Sequence, residues 1–263
     1  MQTDSSDLIR AQILSASRPQ LNRVVAGWRM LHVGVHIAYG LLLATLYPAC
    51  SWSAQRRLMR HWMRGLLGIL RIGLETRGDF PVMPQSRMFV ANHISWLDPM
   101  LIGAVTPACF VAKSEVGAWP LLGWLCRRVD TLFIRRDVRR DAMSASNQIA
   151  ALLRQGEFVV IFPEGTTTTG RETAHFHSSL LQGAVDARAA IQPVAIRFHD
   201  DNGHPNEDAA YVGDMSFVQS LWKILRSPAL YATLIYLPVL PASDNRRMLA
   251  AQAREAIDEA LKA

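Results

Sequence analysis

The segment Asn92-His93-Ile94-Ser95-Trp96-Leu97-Asp98-Pro99 sets an imidazole and a carboxylate five residues apart. On a continuous helix five residues turn the chain by about 500°, leaving the two side chains roughly 140° apart, so contact between them requires a turn. Given that turn, Asp98 accepts a hydrogen bond from one ring nitrogen, and the other is free to take a proton from a substrate hydroxyl. The same residues have a plainer reading: Asp98-Pro99 suits the cap and first position of a helix, and His93 then only closes a turn. A second segment, Phe162-Pro163-Glu164-Gly165-Thr166-Thr167-Thr168-Thr169-Gly170, follows an apolar run. Gly165 permits close backbone approach, and the hydroxyl and N–H groups there suit an anion or a polyol. The lysine of a phosphate-binding G-x4-G-K-[ST] loop is absent, and Thr168 and Thr169 read as turn residues. His175 and His177, at i and i+2, do not share a helical face and make no metal pair.

These segments need elements to hold them. From Phe80 onward short runs rich in Val, Ile and Phe alternate with helical patterns, which predicts an α/β domain with a central mixed sheet flanked by helices. Expected strands cover 88–91, 109–112, 131–134, 158–162, 193–198 and 233–237. Expected helices cover 99–105, 119–128, 140–155, 178–189, 217–225 and 246–261. Both chemical segments then follow a strand, the place where α/β folds commonly put ligands.

Charge divides the chain. Residues 1–78 hold ten Arg against Asp4, Asp7 and Glu75, net +7, while the remainder holds 18 bases against 19 acids, net −1. A nucleic-acid-binding domain carries its basic patch on the folded body, whereas a basic segment interleaved with long apolar runs points to anionic lipid. Between Arg29 and Arg56 lie 26 residues without a charge, and before Pro48 they predict a helix over 30–47. At 1.5 Å per residue that is about 27 Å, marginal for spanning. Over 55–74, Arg57, Arg60, Arg64 and Arg71 fall within about 60° on a helical wheel, opposite Met59, Trp62, Leu66, Ile69 and Leu70. That pattern fits either a helix lying in the headgroup region or one packed on the protein's own core, and its adjacency to the uncharged run favours the membrane. Residues 1–78 are accordingly read as membrane-docking helices and 79–263 as the α/β domain. Cys50, Cys109 and Cys126 lack metal or redox spacing, and the first 20 residues lack a signal-peptide apolar core.

Taken together, the blocks resemble the glycerolipid acyltransferase family that includes the lysophosphatidic acid acyltransferases. Asn92-His93 through Asp98 looks like the family's NHxxxxD block, Phe133-Ile134-Arg135-Arg136 its FIxR block and Phe162 to Thr166 its FPEGT block. Pro193-Val194 sits where a fourth, proline-containing block belongs, and the N-terminus is similar to the two-helix docking element of bacterial members. The resemblance implies that His93 is a general base oriented by Asp98. It places Arg136, Glu164, Gly165 and Thr166 around the acceptor, with Lys113 as a further phosphate-binding residue. It implies transfer of an acyl group from acyl-coenzyme A or acyl-acyl carrier protein to the sn-2 hydroxyl of 1-acyl-glycerol 3-phosphate, with no metal or cofactor. Backbone N–H groups near His93 are candidates to hold the oxyanion. The expected setting is the cytoplasmic face of a bacterial inner membrane, monotopic or with one short inserted helix. Two departures stand out: Asp130 replaces a common glycine, and Thr167 replaces a common arginine after EGT. Loss of that cation brings forward a second acceptor, lyso-ornithine lipid. A non-catalytic membrane-binding protein would account for the N-terminus but not for the His, Arg and Glu blocks.

Overall fold

The computed structural model of the chain describes residues 20–79, 87–129, 131–134 and 139–263. In chain order the elements are α1 (Arg23–Leu46), α2 (Trp52–Leu70), β1 (Ile72–Gly78), β2 (Arg87–Ala91), α3 (Asp98–Val105), β3 (Cys109–Lys113) and α4 (Ser114–Gly117). They continue with α5 (Pro120–Arg128), β4 (Leu132–Ile134), α6 (Arg139–Arg154), β5 (Val159–Ile161), α7 (Gln182–Ala187) and β6 (Ala190–His199). Last come α8 (Phe217–Arg226), β7 (Leu230–Tyr236) and α9 (Arg246–Lys262). The strands form one sheet in the order β1-β7-β6-β2-β5-β3-β4. Among the described strands only β6 and β7 run antiparallel, so the sheet is mixed.

Both faces of the sheet are covered, which is why its central strands read as unbroken apolar runs. Successive side chains point to opposite faces. Phe89, Ala91 and Val160 therefore join one core with residues of α1, α2, α3 and α8, while Met88, Val90, Val159 and Ile161 join a second with α6, α7 and α9. Expected and observed elements agree within a few residues over most of the α/β region. The expected 178–189 helix divides into a 3₁₀ turn, Ser178–Leu181, and the short α7.

The N-terminal reading needs correction. Met59, Met63, Leu66, Leu67 and Leu70 of α2 are buried in the first core beside Leu101 and Ile102 of α3, so its apolar face meets protein and not acyl chains. The helix also stops before the fourth arginine of the stripe. Arg71 adopts the left-handed conformation at φ 57° and caps the helix, with its N–H donating to the Gly68 carbonyl at 3.1 Å. The chain then turns into β1, which pairs along its whole length with β7. The expected 78/79 division therefore falls between β1 and the other six strands of its own sheet. Of the stripe, Arg57, Arg64 and Arg71 are exposed, and Arg64 Nε also donates to the Ala104 carbonyl.

Helix α1 is longer than 30–47, because Asn22 caps it by accepting the Val24 N–H and no breaker intervenes before Pro48. Its 24 residues reach about 36 Å, and among the described helices only this one is long and apolar enough to cross a membrane. One side of it is tied down. Trp62 Nε1 donates to the His36 carbonyl, His36 Nε2 meets the Trp62 carbonyl, and Gly40 leaves room for the indole. The other side, Val24, Trp28, Leu31, Val35, Leu42 and Leu46, is more than half exposed at every position.

Candidate active site

Strands β2, β5, β3 and β4 are parallel neighbours, so their C-terminal ends open onto one edge of the sheet. That edge receives residues 92–98 from β2, 162–166 from β5, Lys113 from β3 and Ile134 from β4. The topology thus gathers segments far apart in sequence within two or three strand spacings, about 10–15 Å. Asn92 starts the first loop. Its amide donates to and accepts from the backbone of Ile196, so β2 stays joined to β6 after the strand has ended.

The turn that the His-x4-Asp spacing requires is present. His93 Nδ1 lies 2.7 Å from Asp98 Oδ2, and the same oxygen accepts the N–H groups of Ile94 at 2.7 Å and Ser95 at 2.9 Å. Asp98 is 0 % exposed and is the first residue of α3, with Leu97 at the cap position and no side-chain cap bond, so the plainer reading of Asp98 as the cap is displaced by one residue. An oxygen that already takes two backbone donors is held as an acceptor, which makes Nδ1 the protonated nitrogen and leaves the Nε2 lone pair free. The ring stacks on Phe162, centroids 4.3 Å apart, and its side chain is 22 % exposed. Nε2 makes no hydrogen bond among the described residues. The backbone behind the ring is fixed as well, since the Thr168 N–H donates to the His93 carbonyl and the Tyr211 N–H to that of Ile94.

Glu164 is held inside the fold. It is 3 % exposed, and its two oxygens accept the His93 N–H at 2.7 Å and the Ala174 N–H at 2.8 Å. Burial pushes its carboxyl above the usual range, the two backbone bonds pull it partly back, and the charge of Asp98 adds a small upward push. Gly165 has φ 74°, a conformation that side chains rarely adopt, and it turns the chain so that Thr166 is exposed. Thr167 Oγ1 donates to the Tyr211 carbonyl, so this hydroxyl is used inside the fold. Lys113 is exposed at the end of β3, in register with Ile134. Arg136, with Asp130 and Arg135, lies outside the described residues.

A family model described as Acyltransferase matches residues 76–197. The chain is 36 % identical over 234 residues to the lyso-ornithine lipid O-acyltransferase of Pseudomonas aeruginosa, covering 88 % of this chain and 89 % of that one. It is 34 % identical over 200 residues to the 1-acyl-sn-glycerol-3-phosphate acyltransferase of Neisseria meningitidis, covering 76 % and 77 %. The chain belongs to this acyltransferase family. The acyltransferase also shares its fold with the 1-acyl-sn-glycerophosphate (LPA) acyltransferase PlsC from Thermotoga maritima, at TM-score 0.67 and 20 % identity over 92 % of this chain and 95 % of that one. These relatives make it a lysolipid acyltransferase.

One chemical expectation fails in the acyltransferase. The N–H groups of His93, Ile94 and Ser95 all donate to buried carboxylates, so none is available to an oxyanion. Among the described residues no group of three or more His, Cys, Asp or Glu is placed to hold a metal ion, and the rings of the exposed His175 and His177 meet edge to face. Sequence reasoning missed Asn92, Phe162, Tyr211 and Thr173 as supports of the site. Asn92 stood in view as the first residue of its block, but nothing local announces that Tyr211 or Thr173 folds back onto it.

Proposed function

We propose that this acyltransferase moves a fatty acyl group from a thioester to the sn-2 hydroxyl of 1-acyl-glycerol 3-phosphate, giving phosphatidate. His93 Nε2 takes the hydroxyl proton as the oxygen attacks the thioester carbonyl. The carbon–sulfur bond then breaks, and the imidazolium returns its proton to the departing thiolate. The observation that carries this reading is the Asp98–His93 pair at the open sheet edge, with Nδ1 engaged and Nε2 free. Lys113, Thr166 and Arg136 are assigned to the acceptor's phosphate, and acyl-coenzyme A or acyl-acyl carrier protein is the donor.

A second acceptor, lyso-ornithine lipid, is favoured by one observation: Thr167 stands in place of the family's arginine and its hydroxyl is spent on Tyr211. The first relative named above carries that activity in its name. Full-chain protein in lipid nanodiscs, given an acyl-coenzyme A and a panel of lysolipids scored by product mass, tests both. Higher turnover of 1-acyl-glycerol 3-phosphate supports the first acceptor, and higher turnover of lyso-ornithine lipid replaces it with the second. Activity in a folded His93→Ala variant would remove the mechanism under either acceptor.

The exposed apolar side of α1 supports docking as a monotopic protein, and the proposed setting is the cytoplasmic face of a bacterial inner membrane. A helix tied to α2 by a reciprocal pair of side-chain-to-backbone hydrogen bonds lies along the protein and offers the bilayer one side.

A further inference from the structure

Thr173 lies nine residues beyond Glu164 on a segment that returns along the site, where the His177 N–H donates to the Pro163 carbonyl. It is buried, and every polar group it owns is engaged by α9. Its N–H and its hydroxyl both donate to Asp258 Oδ1, at 3.0 and 2.8 Å. Arg254 Nε donates to the same hydroxyl at 3.1 Å, and a terminal nitrogen of Arg254 donates to the Thr173 carbonyl at 3.2 Å. Arg254 and Asp258 are one helical turn apart and 3.6 Å from each other, so they reach the loop as a pair.

The peptide unit joining Thr173 to Ala174 is thereby clamped at both ends. Arg254 holds its carbonyl, and its N–H donates to Glu164 Oε2. A peptide group is planar, so fixing the carbonyl direction fixes the direction of the N–H. A cation on the carbonyl also polarises the group and strengthens that N–H as a donor. The other oxygen of Glu164 holds the His93 N–H. A continuous series of hydrogen bonds runs from Arg254 and Asp258 through Thr173, Ala174 and Glu164 to the backbone of His93.

We infer that Arg254 and Asp258 are positioning residues for acyl transfer, setting the place of the His93 imidazole through Thr173 and Glu164. This rests on His93 being the base. Neither residue touches substrate in this scheme, so their loss lowers kcat and leaves the Michaelis constants of donor and acceptor alone. A misplacement of the base by a fraction of an ångström sets the scale at about 10–100-fold.

The test uses the full chain in nanodiscs with an acyl-coenzyme A and whichever of 1-acyl-glycerol 3-phosphate and lyso-ornithine lipid turns over faster. Arg254→Ala, Thr173→Val, Thr173→Ser, Ile257→Val and His93→Ala are compared for kcat, both KM values and Tm. Arg254→Ala and Thr173→Val are expected to lose kcat by about 10–100-fold with each KM within twofold of wild type. Thr173→Ser keeps the hydroxyl and is expected to keep kcat within threefold. Ile257→Val, which loosens the buried face of α9 outside this series of bonds, is expected to lower Tm with kcat retained. Should Arg254→Ala not fold, Arg254→Lys keeps the charge but loses the two-point grip, and is expected to lose about tenfold in kcat. Wild-type kcat in the Arg254 and Thr173→Val variants, a raised KM at constant kcat, or an equal kcat loss in Ile257→Val would overturn the inference. An active His93→Ala variant would instead remove the base on which it rests, so the two failures are told apart.

Discussion

Asp98→Asn separates the geometric part of Asp98 from its charge. Oδ2 of Asp98 faces two backbone N–H groups and His93 Nδ1, while Oδ1 is buried without a hydrogen bond among the described residues. An asparagine must therefore put its carbonyl where Oδ2 stands and its NH2 where Oδ1 stands. The hydrogen bond that orients the imidazole survives, and the negative charge beside the imidazolium is lost. For opposite charges about 4 Å apart at an effective dielectric of 20 that charge is worth about 4 kcal/mol, or about a thousandfold in rate if fully felt in the transition state. Asp98→Asn is expected to lose kcat by about 100–1000-fold, with a stability cost of about 1–3 kcal/mol for the buried NH2. Asp98→Ala strands both backbone N–H groups and is expected to cost about 2–6 kcal/mol in stability at similar or greater kinetic loss. Urea unfolding and nanodisc turnover measure the two quantities separately. A folded Asp98→Asn variant within fivefold of wild-type kcat would refute the argument that the carboxylate charge stabilises the protonated base.

Glu164→Gln replaces one of two accepting oxygens by a donor, so either the His93 N–H or the Ala174 N–H must face it; kcat is expected to fall about 10–100-fold with acceptor KM unchanged, and the reverse pattern in steady-state kinetics would return Glu164 to the acceptor site. Because burial raises the Glu164 carboxyl, its contribution to stability is full below the ordinary pKa of about 4.3 and is lost as pH rises through the folded-state value. Wild type should therefore lose stability relative to Glu164→Gln as pH rises from about 4, and urea titrations with a constant difference would contradict the upward shift. On α1, Leu31→Glu with Val35→Glu alters only exposed positions, so Tm is expected to hold while vesicle flotation weakens by at least about 3 kcal/mol of lost apolar insertion. Arg57→Ala with Arg64→Ala should weaken flotation on anionic vesicles by about 1 kcal/mol per residue and not on neutral ones. Equal flotation of all these variants would dismiss α1 as the docking side.

Local pattern determined the strands and helices of the α/β region, because the short apolar runs of β2 and β5 and the 3.6-residue repeat of helices such as α9 are properties of a few consecutive residues. The His and Glu blocks were legible as segments that follow a strand, since the chemistry of an imidazole or a carboxylate travels with the residue, while Arg135 and Arg136 of the Arg block lie outside the described residues. Periodicity also established that α2 has an apolar face, but the spacing of apolar residues along a helix does not name the surface that covers them. One apolar face of the sheet, together with α3, supplied that surface and claimed α2. β1 escaped notice because an edge strand buried at one end and exposed over most of its length carries little alternation. Only the tertiary structure decided the details of the site. The Glu164–His93 bond joins residues 71 apart, the Thr173–Asp258 bonds span 85, and the Thr167–Tyr211 bond spans 44. Each depends on which strands the sheet sets side by side, a choice made by burial over the whole chain and not by the residues that benefit from it.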